Sequence, residues 1–600
     1  MSVPREVTQK RLAVLSAGTL RYTPSQKFTV ADRIEERAAA DPDRVFAFFE
    51  DRRVSYGELN RRANRVASAA LSLGLRRGDV VSLMMENRPE FISTWAGLAK
   101  LGVTTALINT QLRGDALAHV LDTARARHLI VGSECLEKLE GVSGADRVVA
   151  VDVDPDHPAE LPRGAWSLSG ALERGSERNP DPGLRAGLVA GDDLFHIFTS
   201  GTTGLPKAAR LSHMRFLGVG DGMSAVAGYG RDEVIACVLP LFHGAAGMVV
   251  VSCALHHGGA IALRRRFSAS QFWSDAVRYG TTAFQYIGEI CRYLLSQPES
   301  PLDRAHKIRV MMGAGLGRDI WPAFQQRFGV EQILEGWSST EANTSLLNVD
   351  NKVGSCGRIP FPEYHNGRLI RYDDESGTHP RGPDGLYQLC APGETGEFIG
   401  VIPDLPDSGA GRFEGYTSSE ATDAKILHDV LRKGDRCYRS GDLLRCDEDG
   451  YYYFVDRIGD TFRWKSENVS TQEVAESLGA FPGLEIANVF GVRVPGTEGR
   501  AGMAALVLRD PAAFDGRAFY AYTEQRLPSY AAPVFVRLSS SADITSTFKL
   551  KKFELQRDGY DPARTADPLF VRDPSARDYV PVSAETLARL SLRPFAGDAG

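Results

Sequence analysis

LFHIFTSGTTGLPK, Leu194–Lys207, takes an apolar run straight into a loop of hydroxyls and glycines that ends in Pro206-Lys207. Glycines let backbone N–H groups approach phosphate oxygens closely. Thr199, Ser200, Thr202 and Thr203 add hydroxyl donors, and Lys207 adds a positive charge. The stretch therefore reads as a strand followed by a phosphate-cradling loop, with Gly201 and Gly204 as its points of close approach. The spacing is GxxGxxK and not the GxxxxGK[ST] of a Walker A loop, so a P-loop NTPase fold does not follow.

Upstream of this loop, helical and strand patterns alternate. Ala31 to Ala40, Pro89 to Leu101 and Leu112 to Leu121 are spaced as amphipathic helices, whereas Asp79 to Glu86, Val103 to Ile108 and His128 to Gly132 are short apolar runs bounded by turns. Strands alternating with helices of about 10–15 residues predict βαβ units and a mainly parallel, doubly wound sheet. Downstream, Val234 to Leu241, Ala260 to Leu263, Thr281 to Gly288 and Lys307 to Gly315 predict the strands of a second such set. Tyr451 to Arg457 is a β-rich run where the character of the chain changes. The expected fold class is α/β: a large N-terminal domain of paired α/β subdomains over residues 1–456, and a small α+β C-terminal domain over 457–600.

Composition narrows the function classes. The chain has 600 residues, 43% of them apolar and 24% charged, which suits a loop-rich α/β enzyme. Its net charge is −6, with basic residues interspersed among acidic ones, so no nucleic-acid partner is expected. The eight cysteines stand singly, without the CxxC spacing of zinc or redox sites. The LAVLSAGTL run after Lys10 and Arg11 is too brief for a secretory signal, and no stretch reaches the ~20 uninterrupted apolar residues of a membrane span. These features predict a cytoplasmic protein with a small-molecule substrate, and leave peripheral membrane contact open.

The chain resembles the adenylate-forming family of acyl-CoA synthetases, nonribosomal adenylation domains and luciferases. TSGTTGLPKAA is that family's signature loop. LPLFH (Leu239 to His243), GWSSTE (Gly336 to Glu341), YRSGDL (Tyr438 to Leu443), DRIGDTFRWKSENVS (Asp456 to Ser470) and STFKLKK (Ser546 to Lys552) follow in the family's order. YIGEICRYLL and GDTFRWK resemble the fatty-acid-transport and very-long-chain acyl-CoA synthetase branch in particular.

The resemblance implies ATP and Mg2+ as cofactors, Glu341 as the metal-binding acid beside Thr340, and a nucleotide surface that includes Ser338, Ser339 and the Gly313-Ala314-Gly315 loop. It implies Trp337 against adenine, with a buried core tryptophan as the alternative, Asp442 on the ribose hydroxyls, and Arg457 near ribose or phosphate. Lys549 would bridge the attacking oxyanion and the α-phosphate, while Thr202 and Lys207 would offset charge on the departing pyrophosphate. Tyr286, Ile287 and Gly288 would line the acyl pocket. His243 would gate it, a core histidine being the alternative. Gly459 and Asp460 fall at the family's hinge, about which the C-terminal domain turns.

The implied reaction is AMP-forming activation of a fatty or aromatic carboxylate, followed by ligation to CoA. Two departures stand out. Ser466 replaces the Gly of the branch's KGEN, on the CoA side, and Trp337-Ser338 replaces its Tyr-Gly. They motivate an alternative, a natural-product diazotase that activates nitrite for an aryl amine. A third reading is a lipid-binding or transport protein without catalysis, against which Glu341, Asp442 and Lys549 weigh.

Overall fold

The computed structural model describes residues 3–142, 148–199, 206–373, 376–464, 467–497, 499–545 and 550–595. Seven strands form one sheet in the order Trp166–Ser167, Val148–Asp152, His128–Gly132, Val80–Met84, Thr104–Leu107, Asp193–Thr199, Lys207–Ser212, all neighbours parallel except the last pair. The central strands are continuous apolar runs because helices cover both faces. One of these, Pro89–Ala99, starts with Pro at its first turn and is buried along its whole length. Trp95 of this helix meets Phe195 and Phe216 edge to face.

Eight strands form the second sheet. Its inner members, Gln332–Trp337, Val310–Ala314, Ala283–Ile287, Val234–Cys237, Ala260–Leu263 and Val45–Phe49, run parallel in that spatial order. Leu346–Asn348 and Arg52–Ser55 close its two edges antiparallel.

The first sheet reverses its strand order at Val80–Met84, and among the inner strands of the second the order turns at Val234–Cys237. Open α/β sheets bind ligands in the crevice at such a point, beyond the carboxyl ends of the strands. Here one side chain joins the two crevices. Asn87, just past the first switch strand, donates to Leu239 O at 2.8 Å and accepts from Leu241 N–H at 2.8 Å, on the segment leaving the second.

The α/β expectation holds for these two sheets, but not for the whole stretch before the β-rich run. Residues from Gly357 to Arg457 form a separate six-stranded antiparallel sheet. Its strands are joined by long polar turns such as 402–418, which hide the alternation that short strands need to be recognised. The predicted strand Val234 to Leu241 also stops early. It ends at Cys237, and the chain then enters a π-helix, Gly244–Val250, continued as the α-helix Val251–His257. Gly247 accounts for part of that turn, because a Cβ there would lie 1.9 Å from Leu241 O.

Beyond the antiparallel sheet, a hairpin (Phe462–Trp464 with Glu467–Val469) leads into a five-stranded sheet that has its own apolar cluster, from Phe462 to Leu587. Asp456 ties it to the preceding sheet by accepting from the Thr471 N–H (2.7 Å) and hydroxyl (2.9 Å). No helix among the described residues is long and apolar enough to cross a membrane. The run after Lys10 lies in the helix Arg5–Thr19, docked on His213–Ala227 where Gly18 meets Gly222.

Candidate functional site: a nucleotide crevice

Thr199 ends the strand that pairs antiparallel with Lys207–Ser212, and stands opposite Lys207 in register. Ser200, Gly201, Thr202, Thr203 and Gly204, expected to cradle phosphate, lie outside the described residues. The strand Lys207–Ser212 has a second neighbour in residues 415–417, through Arg210 N–H to Gly415 O (3.0 Å) and Thr417 N–H to Ala208 O (3.0 Å). Tyr416 is thereby aimed at the loop's root, where its hydroxyl meets that of Thr199.

The same hydroxyl donates to Glu341 Oε1 at 2.8 Å, and Tyr438 donates to that oxygen at 3.3 Å while bonding Ser339 Oγ at 2.8 Å. Burial, followed by the nearby Glu341 carboxylate, pushes both phenols well above their ordinary range, so they stay donors. Glu341 is only 6% exposed. It is a single hard oxygen ligand, and no group of three metal-binding side chains occurs among the described residues. That donor set fits Mg2+, which commonly takes one or two carboxylates and completes its shell with water and substrate phosphates. Thr340 faces Gly244, its Oγ1 4.0 Å from where a Cβ would stand.

Trp337 is 5% exposed, edge-on to Phe398 at 4.8 Å, and its Nε1–H donates to Asp442 Oδ2 at 2.8 Å. Little of the ring is left for a base. In place of the expected adenine contact, its position makes it a core residue that aims Asp442. Arg457 stands 3.5 Å from the other carboxylate oxygen of Asp442. The turn Ser440–Asp442 is tightly held. Ser440 Oγ donates to Phe398 O (2.6 Å) and accepts from Asp442 N–H (3.0 Å), and Lys425 donates to Ser440 O (3.1 Å). Burial lowers the Lys425 pKa, although Glu341, Glu397 and Asp442 pull it the other way.

The Gly313-Ala314-Gly315 loop caps the strand Val310–Ala314, with Ala314 and Gly315 exposed. Its glycines are steric necessities: a Cβ on Gly313 would lie 2.2 Å from Tyr286 O, and one on Gly288 would lie 1.6 Å from Gly315 O. Tyr286, expected to line the acyl pocket, presents no open wall. It is fully buried beneath the loop and donates to Glu335. Glu335 also receives the N–H of Gly315 and of Leu316. Gly288 is buried as well, leaving Ile287 the partly exposed member of the three. His243 is half-buried and caps the π-helix, its Nδ1 accepting from Ala245 N–H at 3.3 Å.

Tyr416 thus joins Thr199 to Glu341 and Tyr438 joins Glu341 to Ser339, while Trp337, Asp442 and Arg457 form a second connected set at the Ser440–Asp442 turn. Gly459 (φ 94°) and Asp460 fall in the turn before Phe462, where Asp460 meets Lys552 at 3.4 Å. Lys549 and Ser466 lie outside the described residues. Tyr416, Glu335, Glu397 and Lys425 were not found from sequence. Glu397 follows a glycine in TGEFIG and Glu335 precedes one in LEGW, but nothing local marks an acid as buried.

Two α/β sheets joined through Asn87 at their switch points, with a buried acid beside Thr199 and a second acid on a tight turn, have the layout of a nucleotide-binding α/β fold. The chain belongs to the AMP-binding enzyme family, whose model matches residues 34–395. Within it the chain groups with the fatty-acid-transport branch. It is 38% identical to mouse long-chain fatty acid transport protein 6 over 562 residues (93% of this chain, 89% of that protein). It is 42% identical to mouse long-chain fatty acid transport protein 1 over 550 residues (90% and 84%). An anthranilate CoA ligase holding anthranoyl-AMP shares the fold, with TM-score 0.73 and 22% identity over 88% of this chain and 96% of that one. These relatives give the diazotase and non-catalytic readings no support.

Proposed function

We propose that this chain is an AMP-forming ligase that activates a long-chain fatty acid with ATP and passes the acyl group to CoA. The observation that carries the proposal is the chain of contacts from Thr199 through Tyr416 to Glu341, because it sets the root of the hydroxyl loop beside a buried acid at the sheet switch points. The acid substrate's carboxylate oxygen attacks the α-phosphorus of ATP, the bond to the β-phosphate bridging oxygen breaks, and pyrophosphate leaves. Mg2+ held at Glu341 would neutralise phosphate charge. Tyr416 and Tyr438 keep that carboxylate in place, Asp442 accepts from the ribose hydroxyls, and Lys207 with the loop hydroxyls balances charge on the leaving group. Lys549 supplies a cation to the reaction centre, on a C-terminal domain over 457–600 that turns about Gly459 and Asp460. Positioning and fixed charge supply the acceleration.

The relatives' names support the fatty acid as substrate, and peripheral contact with the membrane from which it is drawn fits the same reading. The test is mass spectrometry of the AMP adduct after incubation with ATP, Mg2+ and a mixture of long-chain, short-chain and aromatic acids. The expected product is a long-chain acyl-AMP, converted to acyl-CoA when CoA is added. Glu341→Gln should lower its formation by about a hundredfold. Absence of any acyl-AMP, or an adduct of aromatic acids alone, overturns the proposal.

A further inference from the structure

Glu397 is a carboxylate with no solvent exposure in the middle of the strand Thr395–Val401. A buried charge is costly unless its oxygens are paired. Glu397 has three kinds of partner. Oε2 accepts from His379 Nε2 at 2.7 Å, and the guanidinium of Arg439 lies 3.3 Å from the same oxygen. Oε1 accepts from the backbone N–H of Gly441 at 2.8 Å. His379 is itself held between two rings, Tyr372 at 5.2 Å and Tyr387 at 5.6 Å.

Gly441 is the middle residue of the Ser440–Asp442 turn, and its φ of 82° is a left-handed state that glycine adopts without steric cost. Three of the turn's other ties, from Ser440 to Phe398, from Asp442 to Ser440 and from Lys425, fix its ends. The bond to Glu397 holds the Gly441 N–H and, together with Lys425 on Ser440 O, orients the peptide that joins Ser440 to Gly441, while Gly441 O accepts from Ile458 N–H at 2.8 Å on the Asp442 side. Trp337 and Arg457 then set the carboxylate at its tip.

We infer that Glu397, braced by His379 and Arg439, is a positioning residue for ribose selectivity: it orients the Gly441 peptide so that Asp442 meets the sugar hydroxyls. The inference rests on the reading of Asp442 in the proposed function. It gives the nucleotide site a specificity element that never touches the nucleotide.

Calorimetric titration of the full chain with ATP and with 2′-deoxyATP, each with Mg2+, tests it without any acid substrate. Wild type should prefer ATP, and Asp442→Asn should abolish the preference. Glu397→Gln keeps the shape of the side chain but lacks the charge. It should weaken ATP binding by about tenfold while changing 2′-deoxyATP binding by less than about threefold. Adding Glu397→Gln to Asp442→Asn should cost nothing more. His379→Gln should give the same pattern in smaller size, and keeps the test alive if Glu397→Gln does not fold. Equal losses for both nucleotides would mean a merely structural acid and overturn the inference. So would an intact preference in Glu397→Gln beside a collapsed one in Asp442→Asn. An intact preference in Asp442→Asn would instead remove the ribose reading on which it stands.

Discussion

The Gly313–Gly315 loop and the Ser440–Asp442 turn both rest on a buried glutamate that accepts backbone N–H bonds, yet the two acids live in opposite electrostatic settings. Beneath the first, Glu335 has only neutral donors: Tyr286, Gly315 N–H and Leu316 N–H. Burial outweighs those bonds and pushes its pKa up to about 8. Beneath the second, Glu397 is as deeply buried, but His379, Arg439 and Gly441 N–H overcome the burial and hold it below the usual carboxylate range. The same job of bracing a loop is done in one place by an acid that is neutral over much of the working pH range, and in the other by an anion. A cation within reach decides which. The steric settings differ as well, for the first loop is walled in by backbone and the second stands open.

The largest effect should separate the two loops sterically. Gly288→Ala puts a Cβ 1.6 Å from Gly315 O, a backbone atom that cannot turn aside, whereas a Cβ on Gly441 meets nothing within 4 Å. Chemical denaturation should show Gly288→Ala costing about 3 kcal/mol or failing to accumulate as folded protein. Gly441→Ala should cost about 1–2 kcal/mol, for its positive φ alone. Similar costs for the two would mean that the loops are not built differently.

A smaller effect probes the charge. Glu397→Ala removes the anion opposite His379 and Arg439 and strands the Gly441 N–H, which should destabilise the protein by about 2 kcal/mol. Arg439 is 33% exposed and recovers some solvation, which keeps the loss below that of a fully enclosed pair.

The smallest effect is the one most specific to the contrast, a pair of opposite pH trends. Glu335 has a folded pKa raised from 4.5, so the native state holds its proton longer than the unfolded chain does. Stability relative to Glu335→Gln is greatest below pH 4.5 and declines as pH climbs toward about 8. Glu397 has a lowered folded pKa, so its advantage over Glu397→Gln is present above pH 4.5 and disappears on acidification through the lower folded value. Denaturation midpoints of wild type and both variants between acid and mildly alkaline pH would show the two difference curves sloping in opposite senses. Parallel curves would erase the distinction.

Much of the crevice was legible in the chain itself. His128–Gly132, Ala260–Leu263 and Tyr451–Arg457 are strands with the very bounds that the sequence predicts, because each is a short apolar or aromatic run between turn residues. The antiparallel sheet from Gly357 was not legible, since most of its short strands lack a run long enough to show a period. Trp337 illustrates the ambiguity at single-residue level: an aromatic beside a motif suits a base or a core equally, and only packing against Phe398 decides.

By itself the sequence determined what is local or carried by motif: the hydroxyl loop after a strand, the βαβ alternation, the acids Glu341 and Asp442, and membership in an adenylate-forming family. Tertiary structure alone decided which groups brace them. Tyr416 reaches Glu341 across 75 positions, and Glu397 reaches Gly441 across 44. A residue's burial and its partners at such separations depend on how sheets stack. Whether a glutamate is a solvated surface acid, a neutral buried acceptor or a braced anion is therefore settled only when the chain has folded around it.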